Sequence, residues 1–455
     1  MSLLDVRPAV PEEAVPAPVE EQTEPQWVPT RALGRAVLLT GLLLIAGVLL
    51  GRVDLVVLAA PFAIGTAFAL RRRPIAVPKV RLGTDDNHHV EGAALTAGVQ
   101  VVNRDAVGYD LVVVRTLVSP WLAVKEADRP HVVTIARGGS KEIELDGEAR
   151  RWGRHPLGPA SARVTACDGL IAGRPVVSSA RNVRVYPMTE PFDADEAMPR
   201  AAGLVGGHRS RRPGEGGELA GVRIFGPGDR LRRIDWRVSL RTERLHVAAT
   251  LSDRDAEVVL LLDVLNEAGR SGGVKGSASV IDTTVRSAAA IAEHYLHRGD
   301  RVSLLEYGPV ARRLRPATGR RQYLTVLEWL LDVKVYPAEF QPYDTVFGSQ
   351  VLSHNALVVV LTPLIDNRSA EMLARLARSG RYVVAVDTLP AKAAPPARGP
   401  WTEVAHGTWR LERDNMIGQL REHGVPVVAW AGAGSLDTVL RDVARLASAP
   451  KAVGR

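Results

Sequence analysis

Cysteine is nearly missing from this chain of 455 residues: Cys167 stands alone, so no disulfide can close within it. That usage fits a reducing compartment, and Cys167 is expected to be a small buried apolar side chain. The short signatures of common catalysts are missing too. There is no phosphate loop ending in Gly-Lys-Ser/Thr and no His-Glu-x-x-His, while GEGGE and GAGSL fall short of a dinucleotide fingerprint. Aromatic residues make up 5% of the sequence, so the most basic segment has only Phe225 and Trp236 for base stacking, and no specific nucleic acid is expected as a partner. The run GRSGG at 269–273 does fit Gly-x-Ser-x-Gly. A nucleophile elbow, however, needs a strand running into it and a helix starting at it. Loop flanks this run on both sides, so Ser271 is expected to be an exposed linker serine and a hydrolase reading is set aside. His294 and His297 share a helix without a third ligand, and DDNHH at 85–89 reads as a solvated turn rather than a metal site. No catalytic residue is assigned.

What is present begins with charge. The net charge is +8 and the isoelectric point about 9.8, which favours acidic partners: anionic lipid, nucleic acid or an acidic protein face. The length implies two or three folded units. Residues 1–30, rich in Pro and Glu, read as a disordered acidic tail. Two apolar runs follow, at 32–50 and 55–70, separated by Gly51, Arg52, Val53 and Asp54. Each is long enough to cross a hydrocarbon layer as a helix, and so short a link returns the chain to its starting side. Arg31 precedes the first run and Arg35 lies near its start, and Arg71, Arg72, Arg73, Lys79 and Arg81 follow the second. By the positive-inside rule both ends are cytoplasmic, and the expected location is the cell membrane.

Residues 75–187 carry short β-rich runs between Gly, Asp, Asn and Pro, the pattern of a small antiparallel sandwich. A polar Gly/Pro/Arg-rich linker is expected at 189–217. An arginine-dense segment follows at 218–250. From 256 to 450, apolar strands alternate with helical patterns, which predicts an α/β domain with a mainly parallel sheet and helices on both faces. Helices are expected at 283–297, 320–333, 369–378, 413–423 and 436–446. Ligands bind beyond the carboxyl ends of such strands, placing Asp263 and the corner at 362–366 where a site would be.

The segment at 150–170, RRWGRHPLGPASARVTACDGL, and the run from Arg223 through Phe225, Pro227, Gly228, Asp229, Arg232, Ile234, Asp235, Trp236, Ser239 and Arg241 resemble a bacterial membrane-anchored family. That family is called domain of unknown function 58 and carries a von Willebrand factor A-like domain. His155 stands where the family has a tyrosine. Physically, Pro227 and Gly228 set a turn, and Asp229 is placed to cap the short helix after it. Ile234 and Trp236 are expected to pack inward. Arg233, Arg237, Arg241 and Arg244 would share a face if the segment stayed helical, locking the chain internally or meeting a partner.

The resemblance implies a divalent ion such as Mg²⁺ held by an Asp-x-Ser-x-Ser loop with a Thr and an Asp from other loops. Here Leu265 and Glu267 occupy the serine positions and Pro363 stands where an acid is common. Asp263, Asn266, Glu267 and Asp366 remain as a degenerate oxygen set, so the expected outcome is a fold kept with the ion dropped and no cofactor. The resemblance also implies a membrane-tethered scaffold or adaptor whose partner is a MoxR-type AAA ATPase, acting in complex assembly or envelope processes. The alternative is an electrostatic binder of nucleic acid or anionic lipid through the arginines at 223–244.

Overall fold

Apolar residues with one charge among them can satisfy their backbone only by coiling into helices when water is scarce. Accordingly α1 (Arg31–Leu50) and α2 (Val53–Leu70) form in a computed structural model of the chain, with mean hydropathies of 2.2 and 2.0. The structure describes residues 27–71, 73–85, 87–127, 129–188, 213–226, 234–251, 257–336, 342, 352, 356–390 and 399–430. Gly51 ends α1 in the left-handed region, at φ 64°, where a side chain would be strained. The next amide, Arg52 N–H, donates to the Gly47 carbonyl at 2.9 Å. Gly47 itself lies so close to α2 that a Cβ there would stand 2.8 Å from Val56 Cγ2. These are two apolar, membrane-length helices joined by a tight turn.

The chain divides into two compact units, one comprising 1–150 and 154–185, the other 151–153 and 186–455. In the first, β1 (Trp27–Pro29), β2 (Lys79–Thr84), β3 (His88–Val90), β4 (Ala94–Val102), β5 (Tyr109–Val118), β6 (His131–Ile135), β7 (Ser140–Glu148), β8 (Gly153–Ala166), β9 (Ile171–Gly173), β10 (Val176–Val177) and β11 (Arg181–Tyr186) make two sheets. The smaller has the order β2-β4-β7, antiparallel throughout. In the larger, β8 is the hub, pairing antiparallel with β5, β9 and β10. Strand residues alternate between faces. Leu95, Ala97, Val99 and Val101 of β4 therefore point one way, and they join Val112, Val114, Leu157, Ala162 and Val164 from the larger sheet in a single core. Cys167 is buried in it.

Two departures from expectation fall here. Residues 27–29 are not tail: β1 pairs with β9, Trp27 opposite Gly173, and the Trp27 ring lies 6.1 Å from that of Tyr109. A tryptophan has enough apolar area to anchor a short strand even after an acidic run. The hairpin is thus entered from β1 and left toward β2, so both its ends belong to the same unit. Second, His88 and His89 lie on β3 rather than in the turn before it.

In the second unit, β12 (Pro213–Ile224) and β13 (His246–Leu251) pair antiparallel around α3 (Trp236–Thr242). β12 begins inside the stretch expected as linker. Beyond it, β14 (Glu257–Asp263), β15 (Arg301–Tyr307), β16 (Arg313–Ala317), β17 (Leu357–Thr362), β18 (Tyr382–Asp387) and β19 (Val427–Ala429) form one sheet of order β16-β15-β14-β17-β18-β19. All neighbours are parallel except β15 and β16. The sheet is therefore mixed, its antiparallel edge being a hairpin return that the sequence pattern did not disclose.

The helices are α4 (Val280–His297), α5 (Gly319–Leu330), α6 (Asn367–Arg378) and α7 (Thr402–Glu422). β14 shows why they flank both faces. Val258, Leu260 and Leu262 join a core with Ile291, Tyr295, Val326 and Leu330 of α4 and α5. Val259 and Leu261 join another with Met372, Leu373, Ile417 and Leu420 of α6 and α7. A strand buried on both sides needs apolar residues at every position, as Val258 to Leu262 provide. α7 starts well before the expected 413, and the helix expected at 436–446 lies outside the described residues.

Candidate functional site

The arginine segment is built on a short helix held by backbone bonds. Phe225 N–H donates to Leu245 O at 2.8 Å, Asp235 N–H to His246 O at 2.9 Å, and Ile234 bridges to Val247. Pairing up to Ile234 leaves the next residue extended, which suits an N-cap. Asp235 takes that role, its Oδ1 accepting from the amides of Arg237 at 3.1 Å and Val238 at 3.2 Å. The expected cap, Asp229, lies outside the described residues with Pro227, Gly228, Arg232 and Arg233. Ser239, buried beneath the helix, donates its hydroxyl to Asp235 O at 2.6 Å and accepts from His246 N–H at 2.9 Å. Replacing Ser239 with alanine removes that acceptor and is expected to cost about 1 kcal/mol in urea unfolding.

The outward face departs from expectation. Trp236 does not pack inward; it is 62% exposed, and Leu240, one turn on, is 79% exposed. Arg237 and Arg241 form the adjacent row, also exposed. The helix stops at Thr242, and Glu243 adopts φ 54°, so Arg244 leaves that row. Arg223, on β12, donates to the Ile224 carbonyl at 3.2 Å. Leu240, whose bare leucine carries no chemical signal, is the residue that sequence reasoning overlooked here.

The second region is the carboxyl edge of the large sheet. Because the strands are parallel and in register, Asp263, Tyr307, Thr362 and Asp387 end side by side. Asp263 is buried. Its Oδ2 accepts from the Thr362 and Ser369 hydroxyls, each at 2.6 Å, and its Oδ1 from Leu265 N–H at 3.1 Å. Burial pushes its pKa up, against the pull of those donors. Asp366 caps α6 and accepts from Arg368 N–H at 2.9 Å. The Arg368 side chain closes on the same carboxylate, Nε lying 3.0 Å from each oxygen, and Asn266 adds its amide at 3.1 Å. Those Arg368 hydrogen bonds hold the Asp366 pKa below the usual carboxylate range. Arg413 of α7 pairs with Asp387 at 2.6 Å and donates to Pro363 O at 2.8 Å.

A divalent ion does not fit this donor set. Such an ion takes six or more oxygens, several of them from water in the case of Mg²⁺, around carboxylate oxygens free to ligate it. Both Asp263 oxygens already accept from protein donors, Leu265 is apolar and buried, and Asp366 faces a guanidinium. Glu267 turns aside to accept from Ile281 N–H at 3.2 Å. Among the described residues no group of three or more His, Cys, Asp or Glu is placed to hold a metal. Thr362 lies in the corner expected at the site, whereas Ser369 and Arg368 were missed; an Asp followed two residues later by Arg was the available signal. Substituting Thr362 by valine leaves Asp263 short of one donor and is expected to cost about 1–3 kcal/mol by chemical denaturation.

Ser271 is half-buried rather than exposed, accepts from Gly273 N–H at 3.3 Å and bonds through its hydroxyl to Asp282 of α4, but it sits in loop between the end of β14 and the start of α4, which is not an elbow. His297 is exposed on α4.

A domain described as Protein of unknown function DUF58 occupies residues 221–405, covering α3 and most of the large sheet. Uncharacterized protein Rv1480 of Mycobacterium tuberculosis and Uncharacterized protein Mb1516 of Mycobacterium bovis are each 33% identical over 136 residues, 30% of this chain and 42% of theirs. The chain thus spans less than half the length of these bacterial relatives. Among solved structures, the complex of zinc 2-glycoprotein and prolactin inducible protein from human seminal plasma matches at 13% identity over 25% of this chain and 96% of that chain, with a TM-score of 0.19. The cupredoxin domain of amoB from Nitrosocaldus yellowstonii matches at 12% identity over 26% of this chain and 94% of that chain, with a TM-score of 0.18. Overlaps this small establish no shared architecture.

Proposed function

We propose that the chain is a membrane-tethered cytoplasmic scaffold or adaptor that binds protein partners through the α3 surface. In this reading the partner is a MoxR-type AAA ATPase, and the service is complex assembly or activation at the envelope. The observation that carries it is the exposed row of Trp236 and Leu240 beside the row of Arg237 and Arg241. Trp and Arg are the residue types that anchor protein interfaces, and exposed apolar side chains among cations suit an acidic partner with an apolar centre. The partner class comes from the family resemblance of the signature. The membrane part rests on α1 and α2 and on their arginine-rich flanks, which favour a cytoplasmic body. Within this reading the two antiparallel sheets are a β-sandwich and the mixed sheet is a von Willebrand factor A-like domain.

The test is affinity capture of the full chain from native membranes. Recovery of a MoxR-type ATPase is expected, and its consistent absence would count against the proposal. A second reading, electrostatic binding of anionic lipid or nucleic acid, draws on the same exposed guanidiniums. It predicts affinity that falls steeply and linearly on a log scale with salt, whereas an interface centred on Trp236 and Leu240 weakens only modestly.

A further inference from the structure

Arg368 breaks a local rule. The first turn of a helix carries a partial positive charge and favours acids, yet the first turn of α6 has no acid and places an arginine at its second position. Local preference does not account for this residue, so its reason lies in what it faces. It faces carboxylates. Nε lies 3.0 Å from both oxygens of Asp366, and Nη2 is 2.5 Å from one of them. The neighbouring Ser369 hydroxyl bonds to Asp263 at 2.6 Å. One turn of helix thus delivers a cation to one carboxylate and a donor to the other. Across the same edge Arg413 does likewise, reaching Asp387 at 2.6 Å and the Pro363 carbonyl at 2.8 Å.

Two aspartates gathered at one strand edge repel, and burial sharpens the repulsion. Something positive must stand beside them. We propose that Arg368 is a built-in counter-ion, its guanidinium occupying at Asp366 the electrostatic role of a divalent cation, so that this edge is formed and charge-balanced without any metal. Pro363 and Leu265 fit the same design, since neither offers a side-chain oxygen and both tolerate a neighbour that is already neutralised.

The full chain in nanodiscs, followed by thermal unfolding and by the spin-resonance signal of added Mn²⁺, tests this. For the natural chain, the unfolding midpoint is expected to be the same in excess EDTA, Mg²⁺ or Mn²⁺, with no Mn²⁺ immobilised. Arg368→Gln is expected to lower the midpoint by several degrees. Asp366→Asn in the same chain is expected to restore most of that loss, because removing the carboxylate removes the need for the cation. Arg368→Lys should retain part of the natural midpoint. A merely structural arginine predicts additive losses for Arg368→Gln and Asp366→Asn, and that result overturns the proposal. So does an Mn²⁺-dependent rise in the natural chain that Asp366→Asn abolishes. Should Arg368→Gln fail to fold, the double variant is still expected to fold, and its failure also overturns the proposal.

Discussion

Asp282→Ala is expected to cost about 3–5 kcal/mol of stability, the range for stripping one partner from a buried ion pair. Asp282 is fully buried at the start of α4. It closes a capping box with Ser279, each accepting from the other's backbone amide. Its Oδ1 also accepts from the Trp152 indole at 3.0 Å and from Arg151 Nε at 2.9 Å. Residues 151–153 belong to the same unit as α4, and Trp152 is part of its apolar core. One carboxylate therefore starts a helix and fixes a remote segment of chain upon it. Alanine removes both, leaving buried donors without their acceptor.

The pH dependence has a definite sign. Burial by itself would raise the Asp282 pKa, but the Ser271 hydroxyl and Arg151 overcome it and hold the carboxyl below its ordinary value. A depressed folded-state pKa means stability that is fully present above the unfolded pKa of about 3.9 and lost as pH falls through the lower folded value. The gap between the natural chain and Asp282→Ala should thus be widest near neutrality and narrow in strong acid. Asp263 has the opposite sign: its raised pKa means that ionisation is penalised in the fold, so stability from this group declines as pH rises through the folded value. Asp263→Asn, which is uncharged at every pH, is accordingly expected to cost less at neutral pH than Asp282→Asn. Urea unfolding of both variants at neutral pH and at about pH 3 checks the contrast.

Reversing two charges on α3, Arg237→Glu with Arg241→Glu, is expected to weaken capture of the partner about a hundredfold or more, as loss of complementary interface charges does. Both side chains are exposed, so unfolding should stay within about 0.5 kcal/mol of the natural value. Trp236→Ala and Leu240→Ala test the apolar row separately. If Trp236 is an anchor, its loss should raise the dissociation rate more than it slows association. A lipid or nucleic-acid surface also predicts loss on charge reversal, but leaves the apolar changes nearly silent.

Much of the fold was legible because periodicity and burial share one cause. The apolar runs at 32–50 and 55–70 could be nothing but long helices, and Val258 to Leu262 nothing but a doubly covered strand. Trp27 was hidden by its acidic neighbourhood, since a single anchoring side chain leaves no period to read. The cap of α3 was misplaced for a related reason. Two aspartates, Asp229 and Asp235, stand near the helix start, and only the long-range bridge from Ile234 to Val247 decides where extended pairing ends. Trp236 was expected inside because large apolar residues are usually buried, but much of a folded surface is still apolar, and burial does not follow from size alone. At the strand edge, Asp263 and Asp366 were readable as chemistry. The closure of Arg368 on Asp366 was not, because an arginine two residues after a cap is not a favoured helical pairing, and neither was the reach of the neighbouring Ser369 to Asp263.

Whether the α3 surface holds a protein is the deciding question. Equilibrium binding of a MoxR-type ATPase from the same cell to the full chain in nanodiscs, beside the Arg237→Glu/Arg241→Glu and Trp236→Ala variants, measures it. Saturable binding to the natural chain, abolished by the charge reversal and weakened by loss of the indole while all three proteins unfold alike, is the predicted result. Equal binding by all three, or none by the natural chain, would contradict it.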